Sequence, residues 1–114
     1  MHTQIEQPAI SDDPLYRLIH EKKITEFNEQ RADDCDFSGL DFRGVDLRGI
    51  NAQNIDFSNC YFHGSDLRGL DLFTCAMEGS SIYRAHIAGT YFPAQINASE
   101  IRLSLKEGTR MRYQ

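Results

Sequence analysis

Between positions 37 and 92 every fifth residue is apolar: Phe37, Phe42, Leu47, Ala52, Phe57, Phe62, Leu67, Leu72, Met77, Ile82, Ile87 and Phe92. In a chain that is 40% apolar, such a run in one fixed register has a chance of roughly 2 in 100,000. Neighbouring columns are ordered as well. Two residues earlier stand Cys35, Leu40, Val45, Ile50, Ile55, Cys60, Ser65, Leu70, Cys75, Ser80, Ala85 and Thr90, all apolar or small. One residue earlier, Asp or Asn recurs at Asp36, Asp41, Asp46, Asn51, Asp56, Asp66 and Asp71. Two residues later, seven of the eight glycines and the pair Asn54 and Asn59 share a single column.

Neither regular element accommodates this period. On a helix, steps of five smear the column around the whole surface, and on a strand an odd step alternates faces. Gly or Asn every fifth residue would punctuate either element. A corner in each repeat resolves the conflict. Two inward columns then flank one outward Asp or Asn, and the Gly/Asn column supplies the tight, positive-φ turn. Short sides wound in succession enclose a core filled by the two inward columns.

Segments such as CDFSG-LDFRG-VDLRG and SDLRG-LDLFT resemble the pentapeptide-repeat family, whose motif runs roughly A(D/N)LxX. The resemblance covers residues 35–94. It implies an all-β solenoid, a right-handed quadrilateral β-helix with four pentads per coil and about three coils here. Leu40, Val45, Ile50, Ile55 and Leu70 depart from the family's preference for Ala in the small column. Four pentads per coil stack Phe37, Phe57 and Met77 on one face and Phe42, Phe62 and Ile82 on the next. Leu47, Leu67 and Ile87 stack on the third face, and Ala52, Leu72 and Phe92 on the fourth. Three coils spaced like paired strands measure only about 14 Å, so both open ends need covering.

The flanks are expected to provide short helical caps. Residues 1–10 read as a disordered tail and residues 11–34 as an N-terminal helical cap. Asp13-Pro14 starts a helix with Leu15, Leu18 and Ile19 on one face. A second helix passes through Ile24–Phe27 and ends near Ala32. In residues 95–114, Ser99 is expected to N-cap a helix from Glu100 to about Glu107 that stops at Gly108. Leu103 falls off the face shared by Ile101 and Leu105. The segment holding Ile96, Ile101, Leu103, Leu105 and Met111 is therefore expected to form a homodimer contact.

Composition narrows the function classes. A net charge of −5 argues against direct nucleic-acid binding, which needs clustered Lys and Arg. No apolar run approaches the roughly 18–20 residues of a membrane span. The N-terminus lacks the basic and apolar regions of a secretory signal. Three cysteines without CxxC spacing argue against a disulfide scaffold or zinc site, and a reducing, cytoplasmic location is expected. Cys35 and Cys75, two coils apart, would be about 9–10 Å from each other, too far for a disulfide. His63 and His86 belong to no ligand motif, and no nucleophile elbow, P-loop or dinucleotide fingerprint occurs. The reading is no enzyme, no metal and no cofactor.

What remains is the outer surface. Arg43, Arg48, His63 and Arg68 form a basic stripe over two adjoining faces, with Arg48 and Arg68 one coil apart beside Asp46 and Asp66. Tyr61, Phe73, Tyr83 and Tyr91 occupy outward columns, where apolar rings are unexpected. These eight residues are the candidate contact surface for an unidentified protein partner. The expected function is a non-catalytic interaction or scaffold module, bacterial by its resemblance. Because some relatives mimic DNA and bind DNA gyrase, gyrase modulation is the alternative the resemblance implies. Three coils at −3, interrupted by Arg43, Arg48 and Arg68, make a short and weakly acidic mimic.

Overall fold

The computed structural model describes residues 9–114. Its elements in chain order are the helices α1 (Pro14–His20) and α2 (Ile24–Gln30), the strands β1 (Cys35–Asp36) and β2 (Ile55–Asp56), and the helix α3 (Ala98–Glu107). The strands pair in parallel, Cys35 with Ile55 and Asp36 with Asp56. Isolated parallel bridges repeat that 20-residue step: Asp41–Tyr61, Asp46–Asp66, Asp56–Ala76, Tyr61–Ser81, Asp66–His86 and Asp71–Tyr91. Four pentads therefore make one layer, and residues 35–54, 55–74 and 75–94 lie side by side. An all-β body was the expectation, yet the two named strands hold two residues each. The reason is local. Ten of the twelve pentads are extended only briefly before a corner at φ between 57° and 86°, taken by Gly, Asn54, Asn59 or Arg84. At Gly79 an added Cβ would meet Asn59 Oδ1, so a side chain there would displace the Asn59 amide.

The central column fills the interior. Phe37, Phe42, Leu47, Phe57, Phe62, Leu67, Leu72, Met77 and Ile82 are all at most 1% exposed. Phe42 and Phe62 stack with centroids 5.3 Å apart, while Phe57 meets Phe42 and Phe62 edge-on at 5.6 and 5.4 Å. The small column explains its own composition. Ser65 and Ser80 are fully buried, and each hydroxyl donates to a carbonyl of the preceding layer, that of Phe42 and Phe57 respectively. Cys60 and Cys75 do the same to Phe37 and Ala52. Small donors thus pay no desolvation penalty inside the core.

The layer edges are closed by unlike devices. Asp13 caps α1 through its side chain, with Pro14 in the first turn. Tyr16 and Ile19 are the residues α1 buries, while Leu15 and Leu18 are only partly covered. Tyr16 and Phe27 set their rings against Phe42 and Phe37. Of the expected tail over residues 1–10, residues 1–8 lie outside the described residues. Ala9 corrects its boundary: it exchanges 2.9 Å hydrogen bonds with Gly39 and Asp41, adding a partner to the first layer's edge. From α2, Asn28 Oδ1 accepts from Asn51 N–H, and Arg31 donates to the carbonyls of Asn51 and Gln53, both at 2.6 Å. Two side chains thereby replace the ladder of an absent preceding layer.

At the other end α3 begins two residues earlier than expected. Asn97, not Ser99, accepts from Glu100 N–H, and the Ser99 hydroxyl donates to Asn97. Two good cap residues lie two positions apart, and the one already in extended backbone wins. Gly108 ends the helix at φ 79°. The tail then folds back on the third layer: Gly79 N–H donates to Met111, Met111 N–H to Ser80, Ile82 N–H to Ser104 Oγ, and Arg84 N–H to Leu105. The expected dimer segment is thereby turned largely onto its own chain. Ile96 and Met111, 5% and 0% exposed, complete their own chain's core. Ile101 and Leu105 are half-buried against it, and Leu103 alone of the five is exposed.

Candidate interaction surface

The four sides of the body differ in what the outward columns carry. On the third side (residues 45–49, 65–69 and 85–89), Asp and Arg alternate two residues apart. The Asp carboxylate first accepts the backbone N–H two residues on, which points the following side chain along the same surface. Arg48 then grips Asp46 through Nε and Nη2 at 3.0 and 2.8 Å, and reaches Asp66 at 3.2 Å. Arg68 grips Asp66 at 2.9 and 2.6 Å. The result is a continuous ladder Asp46–Arg48–Asp66–Arg68. Its hydrogen bonds to arginine hold the Asp46 and Asp66 carboxyls below the ordinary carboxylate range, although desolvation opposes the shift. Both charges of each pair are thus largely spent on each other.

The second side (residues 40–44, 60–64 and 80–84) holds Arg43, Tyr61, His63 and Tyr83. Arg43 makes a bidentate pair with Asp41 at 3.0 and 2.8 Å. His63 lies between two rings, stacked on Tyr61 at 5.3 Å and edge-on to Tyr83 at 5.7 Å. Tyr61 and Tyr83, expected to be exposed, are half-buried in this stack. Desolvation, then the Arg43 charge, lowers the His63 pKa. His63 Nε2 stands 3.0 Å from Ser81 Oγ, whose proton goes to the Gly108 carbonyl at 2.9 Å. The imidazole therefore presents its N–H to Ser81, the reverse of a base activating a serine nucleophile. The group ties the C-terminal tail to the body.

The fourth side (residues 50–54, 70–74 and 90–94) has neither an Arg ladder nor a closed ring stack. Phe73 and Tyr91 are 58% and 68% exposed. Here the layers also come apart. The gap lies between the first two layers only, since Leu72 N–H still donates to Tyr91 at 2.7 Å on this side, as Phe57 N–H does to Ala76 on the first. Ala52 N–H and Asp71 N–H have no such partner among the described residues, and Asn54 N–H turns instead to Thr74 Oγ1 at 2.9 Å. A cavity of about 300 Å³ opens there, lined by Ile50, Asn51, Ala52, Gln53, Asp71 and Thr74. Asp71 accepts from Phe73 N–H, as its counterparts do, but Phe73 occupies the place where Arg43, Arg48 and Arg68 follow Asp41, Asp46 and Asp66. No salt bridge reaches Asp71 among the described residues.

The eight candidate contact residues thus divide over three sides: Arg43, Tyr61, His63 and Tyr83 on the second, Arg48 and Arg68 on the third, Phe73 and Tyr91 on the fourth. They do not form one site. Sequence reasoning missed Asp71, Thr74 and the opening beside Ala52. The signal available for Asp71 was the aromatic residue two positions on, where every other repeat Asp is followed by Arg or Ser. Among the described residues, no group of His, Cys, Asp and Glu is arranged to hold a metal ion, and no helix is long and apolar enough to cross a membrane.

A family model of pentapeptide repeats matches residues 25–49 and 41–79, in eight copies. No curated protein and no solved structure matches the chain.

Proposed function

The chain belongs to the pentapeptide-repeat family, and from that premise we propose that it is a non-catalytic module that binds a protein partner through the outer sides of a right-handed quadrilateral β-helix. The 20-residue bridging step supports that architecture, since four five-residue sides return the chain beside itself. One observation carries the binding reading. Phe73 and Tyr91 stand on a single side, more than half exposed, where either position could hold a polar residue at no cost to the core. The opposed Asp and Arg groups of the third side neutralise one another and leave little net field to attract a charged partner.

We also propose a homodimer, now through the uncovered half of the third layer. The tail caps residues 75–84 but not 85–94, where Ile87 and Phe92 are half-buried and Leu103 is 46% exposed nearby in sequence. Light scattering at tens of micromolar tests this, and a monomer would remove it.

The binding reading is tested by affinity capture from native cytosolic extract with wild-type protein and a Phe73→Ser/Tyr91→Ser variant. A partner retained by the wild type and lost by the variant supports it. Identical capture by both overturns the assignment to this side. Inhibition of gyrase supercoiling by the purified protein would replace the reading with the DNA-mimic alternative.

A further inference from the structure

The fourth side holds more than two exposed rings. Phe73 and Tyr91 border a hollow of about 250 Å³ that also contains Asp71 and Thr74. Asp71 and Thr74 equally line the opening between the first and second layers, so hollow and opening meet at these two residues. The bridge between Asp71 and Tyr91 fixes the Tyr91 backbone beside the carboxylate, and Phe73 follows Asp71 by two residues. One Asp71 oxygen accepts from Phe73 N–H at 3.0 Å. The other has no donor among the described residues. The carbonyls of Ile50 and Asp71, which a regular ladder would occupy, likewise accept nothing there.

The chemistry of this place is one-sided. It offers a carboxylate, unpaired carbonyl oxygens and two ring faces, and it is set in a chain of net charge −5. Aspartates elsewhere on the body are either gripped by Arg, as Asp41, Asp46 and Asp66 are, or flanked by serine, as Asp36 and Asp56 are. Only at Asp71 do an uncompensated carboxylate and exposed aromatic rings coincide among the described residues. A planar cation with several donors answers each feature. A guanidinium can stack on a ring, donate to a carboxylate and fill unpaired carbonyls together, whereas an ammonium is a compact, strongly hydrated charge.

Building on the interaction-module reading, we infer that the hollow between Phe73 and Tyr91 receives an arginine side chain of a basic partner protein, with Asp71 as its counter-ion. The neighbouring opening takes the donors of the arginine's own backbone or of its guanidinium edge. Arg31 stands at the far rim of this side, but its guanidinium is occupied by four carbonyls, those of Ala32, Asp33, Asn51 and Gln53. It therefore leaves Asp71 as the charge that faces the hollow.

The test is an amide NMR titration of the full chain with acetyl-Gly-Arg-Gly-amide, and with its citrulline counterpart of the same shape and no charge. The expected result is saturable shifts confined to Ala52, Asp71, Phe73, Thr74 and Tyr91 with the arginine peptide, and none with citrulline. Asp71→Asn keeps the acceptor for Phe73 N–H and should weaken binding about tenfold or more. Phe73→Ser should do so by a similar factor. Equal shifts with citrulline, equal shifts around Asp36 and Asp56, or undiminished binding by folded Asp71→Asn would overturn the inference. A captured partner lost by Phe73→Ser/Tyr91→Ser but kept by Asp71→Asn would overturn the arginine assignment and leave the interaction-module reading standing.

Discussion

Phe57→Ala removes the side chain at the centre of the aromatic stack. Phe57 is 0% exposed and lies 6.2, 5.6 and 5.4 Å, centroid to centroid, from Phe37, Phe42 and Phe62. Layers before and behind it are pinned by backbone ladders, Phe37 N–H to Asp56 and Phe57 N–H to Ala76, so they cannot close over the void. Poor collapse places the cost at the upper part of the usual range for such truncations, about 4 kcal/mol. A chain of this size has about 5–15 kcal/mol in total, so the variant keeps a marginal fold at best. With a urea slope near 2 kcal/mol/M, the unfolding midpoint should fall by about 2 M. Phe73→Ala, at 58% exposure, is the control and should shift stability by less than about 0.5 kcal/mol. A Phe57→Ala loss below about 1 kcal/mol, or equal to that of Phe73→Ala, would refute a core built from the central column.

Other consequences are independent of that one. Arg31→Met hands the first layer's edge carbonyls of Asn51 and Gln53 to water, and a loss of about 1 kcal/mol in urea unfolding is expected. Desolvation drives the thiols of Cys60 and Cys75 up to about 12 and 11 and raises that of Cys35. Native protein at pH 8 should therefore be inert to Ellman's reagent, while denatured protein should titrate all three cysteines. Asp46 and Asp66 have folded pKa values below their unfolded ones, so their contribution is present above about pH 4 and is lost as pH falls below it. Urea midpoints compared at pH 7 and pH 3 should show a smaller drop for Asp66→Asn than for wild type.

The period of five made the interior and the corners legible, because both inward columns and the Gly/Asn column are written in residue type. Spacing put Phe57 in an inward column and a corner at Asn59, while the stack of Phe57 followed from the four pentads per coil that the family resemblance implies. Arg84 takes the same corner at φ 57° although its residue type gives no such signal. The flanks were harder for a related reason. Ala9 pairs with a residue 31 positions away, and Asn28 and Arg31 act as ladder donors through side chains that read as an ordinary helix surface. The candidate surface shows the same divide. The pairing of Arg48 with Asp46 and Asp66 follows from the repeat, whereas the half-burial of Tyr61 and Tyr83 depends on His63. The opening beside Ala52 is a departure from the repeat, and a periodic argument sees only what recurs.

All of these sides exist only if four pentads make a layer. The direct measurement is the scalar coupling transmitted through backbone hydrogen bonds in isotope-labelled protein. The account predicts couplings from Phe57 N–H to the Ala76 carbonyl, Phe62 to Ser81, Leu67 to His86 and Leu72 to Tyr91, with none from Ala52 to Asp71. Their partners in the same ladder run from Asp66 N–H to Val45, Ala76 to Ile55, His86 to Ser65 and Tyr91 to Leu70. Couplings between layers at any regular separation that does not bracket 20 residues across 35–94 would contradict it.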